Sequence, residues 1–197
     1  MQNILEEISL ANRKFVENLP PEFISSSPLS AKPNRKIALF TCMDTRLVSF
    51  LEPALGISRG EAKVIKNAGN SITASFDSTI RSLIVAIFEL EVEEILVIGH
   101  LNCGMGETNS RELIARMTKR GVHPAAIKVV EEELEKWVDQ FYHPEDNVEK
   151  VVARIHGSPF IPRDVPVHGL IFDPHTGEIQ VIVNGYEKIE QALQGIN

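Results

Sequence analysis

Apolar positions recur at helical spacing through residues 3–18, where Ile4, Ile8, Ala11 and Phe15 share a face with Glu and Lys between them. The spacing predicts an amphipathic helix. Pro20 and Pro21 end it, and the Pro- and Ser-rich stretch 20–36 reads as a connector. The pattern then changes period. Residues 37–41 (Ile-Ala-Leu-Phe-Thr) and 95–98 (Ile-Leu-Val-Ile) are short, unbroken apolar runs, the mark of strands buried on both faces inside a parallel sheet. Residues 63–66 and 167–172 are further strand candidates. The turn Asp173-Pro174-His175-Thr176-Gly177 returns the chain into 178–183 as a hairpin edge strand.

Helical patterns lie between these runs. Residues 76–90 carry Phe76, Ile80, Leu83, Ile84, Ile87 and Leu90; 106–119 and 124–140 are charged and amphipathic; 144–156 opens on Pro144-Glu145-Asp146, a helix-start signature. Strands alternating with helices predict an α/β fold: a mainly parallel β-sheet of about four strands plus an antiparallel edge strand, flanked by helices and joined by right-handed crossovers. The chain divides into an N-terminal helical arm and connector, 1–36, suited to packing on a partner subunit, and one α/β domain, 37–197.

Composition agrees with one packed domain: 197 residues, 43% apolar and 24% charged. Twenty basic against 27 acidic residues give a net charge of −7, which argues against a nucleic-acid partner. No apolar run reaches the roughly 18–20 residues that a bilayer requires, so no membrane partner is expected. The opening Met-Gln-Asn-Ile-Leu-Glu-Glu-Ile lacks the basic flank and apolar core of a secretion signal, and a cytoplasmic location follows as the expectation.

The two cysteines, Cys42 and Cys103, are too few for a disulfide scaffold. Each belongs to a fragment that follows a predicted strand. The first strand runs into Cys42-Met43-Asp44-Thr45-Arg46, the third into Gly99-His100-Leu101-Asn102-Cys103-Gly104. Open α/β sheets bind ligands at the carboxyl ends of their strands, where strand order reverses. If strands one and three are neighbours there, Cys42, His100 and Cys103 converge. Two thiolates and an imidazole suit zinc, and three protein ligands leave a fourth position open, as catalytic sites do. A single cysteine after a strand is more often a buried hydrophobe; the placement of both fragments at strand ends favours the metal. No Cys-x-x-Cys redox motif occurs. Asp44 and Arg46, spaced by two in a segment expected to be extended, should face the same way as Cys42. There Asp44 either closes the metal as a fourth ligand or, gripped by the Arg46 fork, orients a water beside it. Gly104-Met105-Gly106 begins a dinucleotide-like motif, but Asn109 stands where its third glycine belongs, and no phosphate-loop motif occurs. His123, His143, His168 and His175 read as surface or structural residues.

Together, Cys42-x-Asp44-x-Arg46, Gly99-His100-x-x-Cys103-Gly104, Asn67-Ala68-Gly69-Asn70, Gly60-Glu61-Ala62, Ser158-Pro159 and the 169–177 hairpin resemble the β-class carbonic anhydrases, in order, over about residues 1–185. The resemblance implies Zn2+ held by Cys42, His100 and Cys103, with Asp44 as a fourth ligand in a closed state only. It implies a catalytic pair of Asp44 and Arg46, and substrate-facing positions at Gly69, Ile72 and Val85. The implied activity is reversible hydration of carbon dioxide to bicarbonate by hydroxide generated on zinc. The implied assembly is a homodimer or higher homo-oligomer, with the N-terminal helix embracing the partner. Alternatives are hydrolysis of carbonyl sulfide or carbon disulfide at the same site, or a non-catalytic zinc protein. Thr45 stands for the commoner Ser, Asn102 for a frequent Asp and Lys66 for the usual Arg, and Lys32-Pro33-Asn34 offers no Gln upstream of the first strand. None of these removes a ligand.

Overall fold

The structure, a computed structural model, describes residues 3–24, 30–139, 141 and 143–194. It divides into two compact units, Met1–Ala31 and Lys32–Asn197. In the first, helix α1 (Ile4–Glu17) is capped by Asn3, whose Oδ1 accepts from the Leu5 N–H. A 3-10 turn at Pro21–Phe23 follows, and the rings of Phe15 and Phe23 meet edge to face at 5.6 Å. Ile4, Leu5, Ile8 and Val16 are exposed.

The second unit is built on one five-stranded sheet. Its strands are β1 (Ile37–Cys42), β2 (Ala62–Asn67), β3 (Glu94–His100), β4 (Val167–Phe172) and β5 (Ile179–Val183). Their order is β2-β1-β3-β4-β5, with the first four parallel and β5 antiparallel to β4. The expected four parallel strands and antiparallel edge are therefore present. The central runs lack polar alternation because both faces are covered. Ala38, Phe40, Ile95 and Val97 feed a core shared with helices α3 (Ser78–Phe88) and α6 (Pro144–His156). Leu39, Ile98, Leu170 and Phe172 feed the core on the other side, with Leu47, Leu51 and Phe141. The buried Thr41 hydroxyl is satisfied across the sheet, donating to the Ile98 carbonyl at 2.8 Å.

Several boundaries differ from the sequence pattern. The segment predicted as helix from 106 begins as a 3-10 turn, Gly104–Glu107. Helix α4 (Ser110–Lys119) starts only after Asn109, whose side chain accepts from the Glu112 N–H and caps it. Helix α5 spans Pro124–Val138. Two helices had no counterpart in the sequence reading: the single turn α2 (Leu51–Ala54) and α7 (Gly185–Gln194).

The topology positions the site. From β1 the chain moves to one side to form β2, then crosses back to form β3 on the other side of β1. The carboxyl ends of β1 and β3 are thus adjacent at the reversal point. Gly99, the residue before His100, lets α6 lie close over this end: a Cβ there would fall 2.6 Å from Val148 Cγ2.

Candidate metal centre

Each donor is placed by a strand end. Cys42 is the last residue of β1 and His100 the last of β3; Cys103 follows one turn later, as the residue that opens the Gly104–Glu107 turn. All three are buried, and their ligating atoms lie within 4.8 Å of one another. Two sulfurs on one tetrahedral zinc, each at about 2.3 Å, are roughly 3.8 Å apart. Cys42 Sγ and Cys103 Sγ are 3.9 Å apart.

The histidine supplies an independent test of fit. His100 Nδ1 lies 3.0 Å from the Leu101 carbonyl, so that nitrogen carries the proton and donates. Nε2 is left with a lone pair. It is buried and has no hydrogen-bond partner. A buried acceptor without a partner is costly, and an ion between it and the two sulfurs removes that cost. The residues present therefore fit a divalent metal of borderline softness, and zinc in particular.

The thiols are unequal. The Cys42 thiol is pulled well below its ordinary value, chiefly because the Cys103 thiol donates to it. Burial opposes the shift, while the backbone N–H groups of Gly69 and Asp44 add to it. The Cys103 thiol is pushed up, chiefly by Cys42 and then by burial. A first negative charge is thus welcome in the pocket, and a second needs a cation.

Asp44 and Arg46 do not sit on an extended segment. β1 ends at Cys42, and Thr45–Leu47 is a 3-10 turn that Asp44 caps, its Oδ1 accepting from the Arg46 N–H at 2.9 Å. The cap, rather than strand alternation, brings the two side chains together. Arg46 Nε donates to Asp44 Oδ1 at 2.9 Å, and Arg46 Nη2 donates to Oδ2 at 2.8 Å. The pair holds the Asp44 carboxyl down at about 2, with the Arg46 side chain as the main cause. Arg46 Nη2 also donates to the Asn102 carbonyl at 2.7 Å, which fastens the fork to the turn between His100 and Cys103. Asn102 has φ +53, a left-handed conformation that asparagine tolerates better than most residues. Asp44 Oδ2 is 3.7 Å from His100 Nε2, yet Asp44 is not among the three residues whose donor atoms converge. It stands beside the ligands, held off them by Arg46.

Gly69 lies in the turn after β2, at φ +66. Its backbone N–H is among the groups that lower the Cys42 thiol. A Cβ at Gly69 would fall 2.9 Å from Met105 Cγ and 3.0 Å from Phe141 Cε2, two side chains the sequence reading did not single out. Asn67 ties the same turn: its Nδ2 donates to the Ser71 carbonyl and its Oδ1 accepts from the Ser71 N–H. Ile72 is buried in the core with Phe40, Ile80 and Leu83. Val85 lies half-exposed on α3, along a groove with Lys63, Val64 and Arg81. Lys66 pairs with Glu52 of α2 at 3.0 Å.

Residues 37–179 match the family model described as carbonic anhydrase. The β-carbonic anhydrase isoform I of the protozoan Trichomonas vaginalis superposes with a TM-score of 0.88 at 44% identity, covering 94% of this chain and 100% of that one. The Bacillus subtilis protein YtiB, provisionally named a carbonic anhydrase, is 37% identical over 187 residues, 93% of this chain and 98% of its own. A carbon disulfide hydrolase from Acidianus is 29% identical, across 80% of this chain and 84% of its own.

Proposed function

The chain belongs to the β-class carbonic anhydrases, and from that premise we propose that it catalyses the reversible hydration of carbon dioxide to bicarbonate and a proton, with zinc held by Cys42, His100 and Cys103. One observation carries the reading. Two sulfurs and an unpartnered imidazole nitrogen converge, while the adjoining carboxylate is gripped outside the set. A closed metal, with Asp44 as its fourth ligand, would require the Arg46 fork to open.

Zinc at such a site supplies a Lewis acid that lets water ionise near neutral pH, a behaviour for which carbonic anhydrase is itself the standard example. The chain's own residues do the rest. Asp44 Oδ1 already accepts twice from Arg46, whereas Oδ2 accepts once. The remaining lone pair of Oδ2, on the His100 side, can take a hydrogen bond from an attacking water and point its oxygen at carbon. Arg46 fixes the direction of that lone pair and keeps the carboxylate charged. Gly69 brings backbone, with no side chain, to the edge of the site. Bicarbonate, the product, meets the same Arg46 charge.

Hydrolysis of carbon disulfide or carbonyl sulfide would use the same donors. The greater similarity to carbonic anhydrases favours carbon dioxide. Stopped-flow hydration of carbon dioxide, run beside a carbon disulfide assay on protein of known zinc content, tests this. Fast hydration with slow disulfide turnover is expected; the reverse ratio overturns it. The exposed apolar face of α1 supports a homodimer or larger homo-oligomer, which sedimentation would resolve. No described helix is long and apolar enough to cross a membrane, and the proposed location is the cytoplasm.

A further inference from the structure

Two apolar side chains pack beside the metal donors without belonging to the Asp44–Arg46 fork. Met105 lies two residues past Cys103, inside the Gly104–Glu107 turn, where the Gly106 N–H donates to the Cys103 carbonyl at 3.0 Å. Phe141 arrives from the far end of α5. There Asp139 clamps the start of α4, its carboxylate accepting from the Ser110 N–H at 2.8 Å and from the Ser110 hydroxyl at 2.6 Å. Phe141 belongs to the buried cluster that includes Cys42 and Cys103, and Met105 packs against that cluster. The two side chains converge on Gly69, whose Cβ, were there one, would stand 2.9 Å from Met105 Cγ and 3.0 Å from Phe141 Cε2. The Gly69 backbone is fixed next to Cys42. Asn67, two residues earlier, is the sheet partner of Cys42, and its carbonyl accepts from the Met43 N–H at 2.9 Å. Asn147 of α6 donates to the Gly69 carbonyl at 2.9 Å.

We propose that Met105 and Phe141 form the apolar wall against which the linear substrate lies, and that they set the size of substrate the site accepts. The inference rests on the reading of Cys42, His100 and Cys103 as the metal site of a carbon dioxide hydratase. Small-molecule sites are lined mainly by apolar side chains, with a few polar groups that orient the ligand. Here Asp44 and Arg46 are the polar groups, Met105 and Phe141 bring only a thioether and a ring, and Gly69 puts no side chain between them. Carbon dioxide has no net dipole, so apolar, polarizable surface suits it. Phe141 is the rigid part of the wall, and the unbranched Met105 is the adaptable part. Sulfur is larger than oxygen, so a ring held at Gly69 favours carbon dioxide over its sulfur analogues. One methylene more or less in such a pocket changes discrimination by about 10- to 200-fold.

The test uses the full chain loaded with cobalt(II), whose visible spectrum changes when an anion joins the metal. The probes are cyanate, which has the electron count and linear shape of carbon dioxide, and thiocyanate, in which sulfur replaces the oxygen. Phe141→Leu and Met105→Ala open the wall and leave the three donors in place. Each is expected to raise the affinity for thiocyanate relative to cyanate about tenfold over wild type. The ratio of carbon disulfide to carbon dioxide turnover is expected to rise in the same direction. Ile57→Ala serves as the control. Ile57 belongs to the same buried cluster but adjoins Gly56, whose carbonyl accepts from Arg35 just before β1 begins, at the opposite end of that strand from Cys42. This variant should lower the thermal midpoint and keep the wild-type anion ratio. An unchanged anion ratio in both wall variants overturns the proposal, as does an equal change in Ile57→Ala. The anion measurement involves no turnover. A wild-type protein that binds both anions but does not hydrate carbon dioxide therefore counts against the proposed function alone.

Discussion

At the scale of single residues, Asp44 and Arg46 decide how the metal centre is flanked. The folded carboxyl of Asp44 sits at about 2 against an ordinary 3.8, held there chiefly by the Arg46 side chain. A depressed acid stabilises the fold at pH values above its unfolded pKa, and that contribution fades as pH falls through the folded one. The pair therefore helps fully above about pH 4 and is lost towards pH 2. Arg46→Ala should return the Asp44 carboxyl towards 3.8, visible by carboxyl NMR of the metal-free protein. It should leave zinc content at one per chain and slow hydration on the order of a hundredfold, because the freed carboxylate can then reach the metal. Wild-type rates in that variant would refute the role given to Arg46. The donors themselves were legible in the sequence because only a few side-chain types bind zinc, Cys42 and His100 ended strands, and Cys103 followed His100 by a single turn. The anchor of Arg46 was not legible. Its acceptor is the Asn102 carbonyl, and a backbone oxygen leaves no signature in residue type.

At the scale of elements, the close crossing of α6 over the sheet decides how firmly the site is backed. Gly99 and Gly169 both face Val148, whose methyl groups would stand 2.6 and 2.9 Å from an added Cβ. Gly99→Ala should destabilise the protein by about 1–3 kcal/mol, as overpacking does. Adding Val148→Ala should recover part of that loss, and a double-mutant cycle by denaturant unfolding measures the coupling. Strictly additive effects would mean that the two groups do not compete for space. The strands and the helices α1, α3, α5 and α6 followed from the apolar period, since burial on two faces or one writes itself into the pattern. The turns did not. Thr45–Leu47 exists because Asp44 caps it, and this local hydrogen bond overrode the extended geometry expected from spacing. The α4 start was delayed by Asn109 in the same way. Asn147 reaches Gly69 from 78 positions away, a pairing that only the folded sheet creates.

At the scale of the whole molecule, the metal would join β1 to the turn after β3, sulfurs 61 positions apart in the chain. Metal held by donors so distant stabilises the folded state, since the unfolded chain offers no such cluster. Chelation of zinc should lower the thermal midpoint on the order of 10 °C. Cys42→Ser, left with one sulfur and a weaker hold on zinc, should start from a lower midpoint and fall by less on chelation. The parallel order that brings those strand ends together was foreseeable from the unbroken apolar runs, whereas α7 was missed although Tyr186, Ile189 and Leu193 fall at helical spacing. The most direct test of the central claim is zinc K-edge X-ray absorption on the purified full chain. Two sulfur neighbours at about 2.3 Å and one imidazole nitrogen at about 2.0–2.1 Å are expected, with the second sulfur lost in Cys42→Ser. A zinc shell without sulfur, or a Cys42→Ser spectrum identical to wild type, would contradict it.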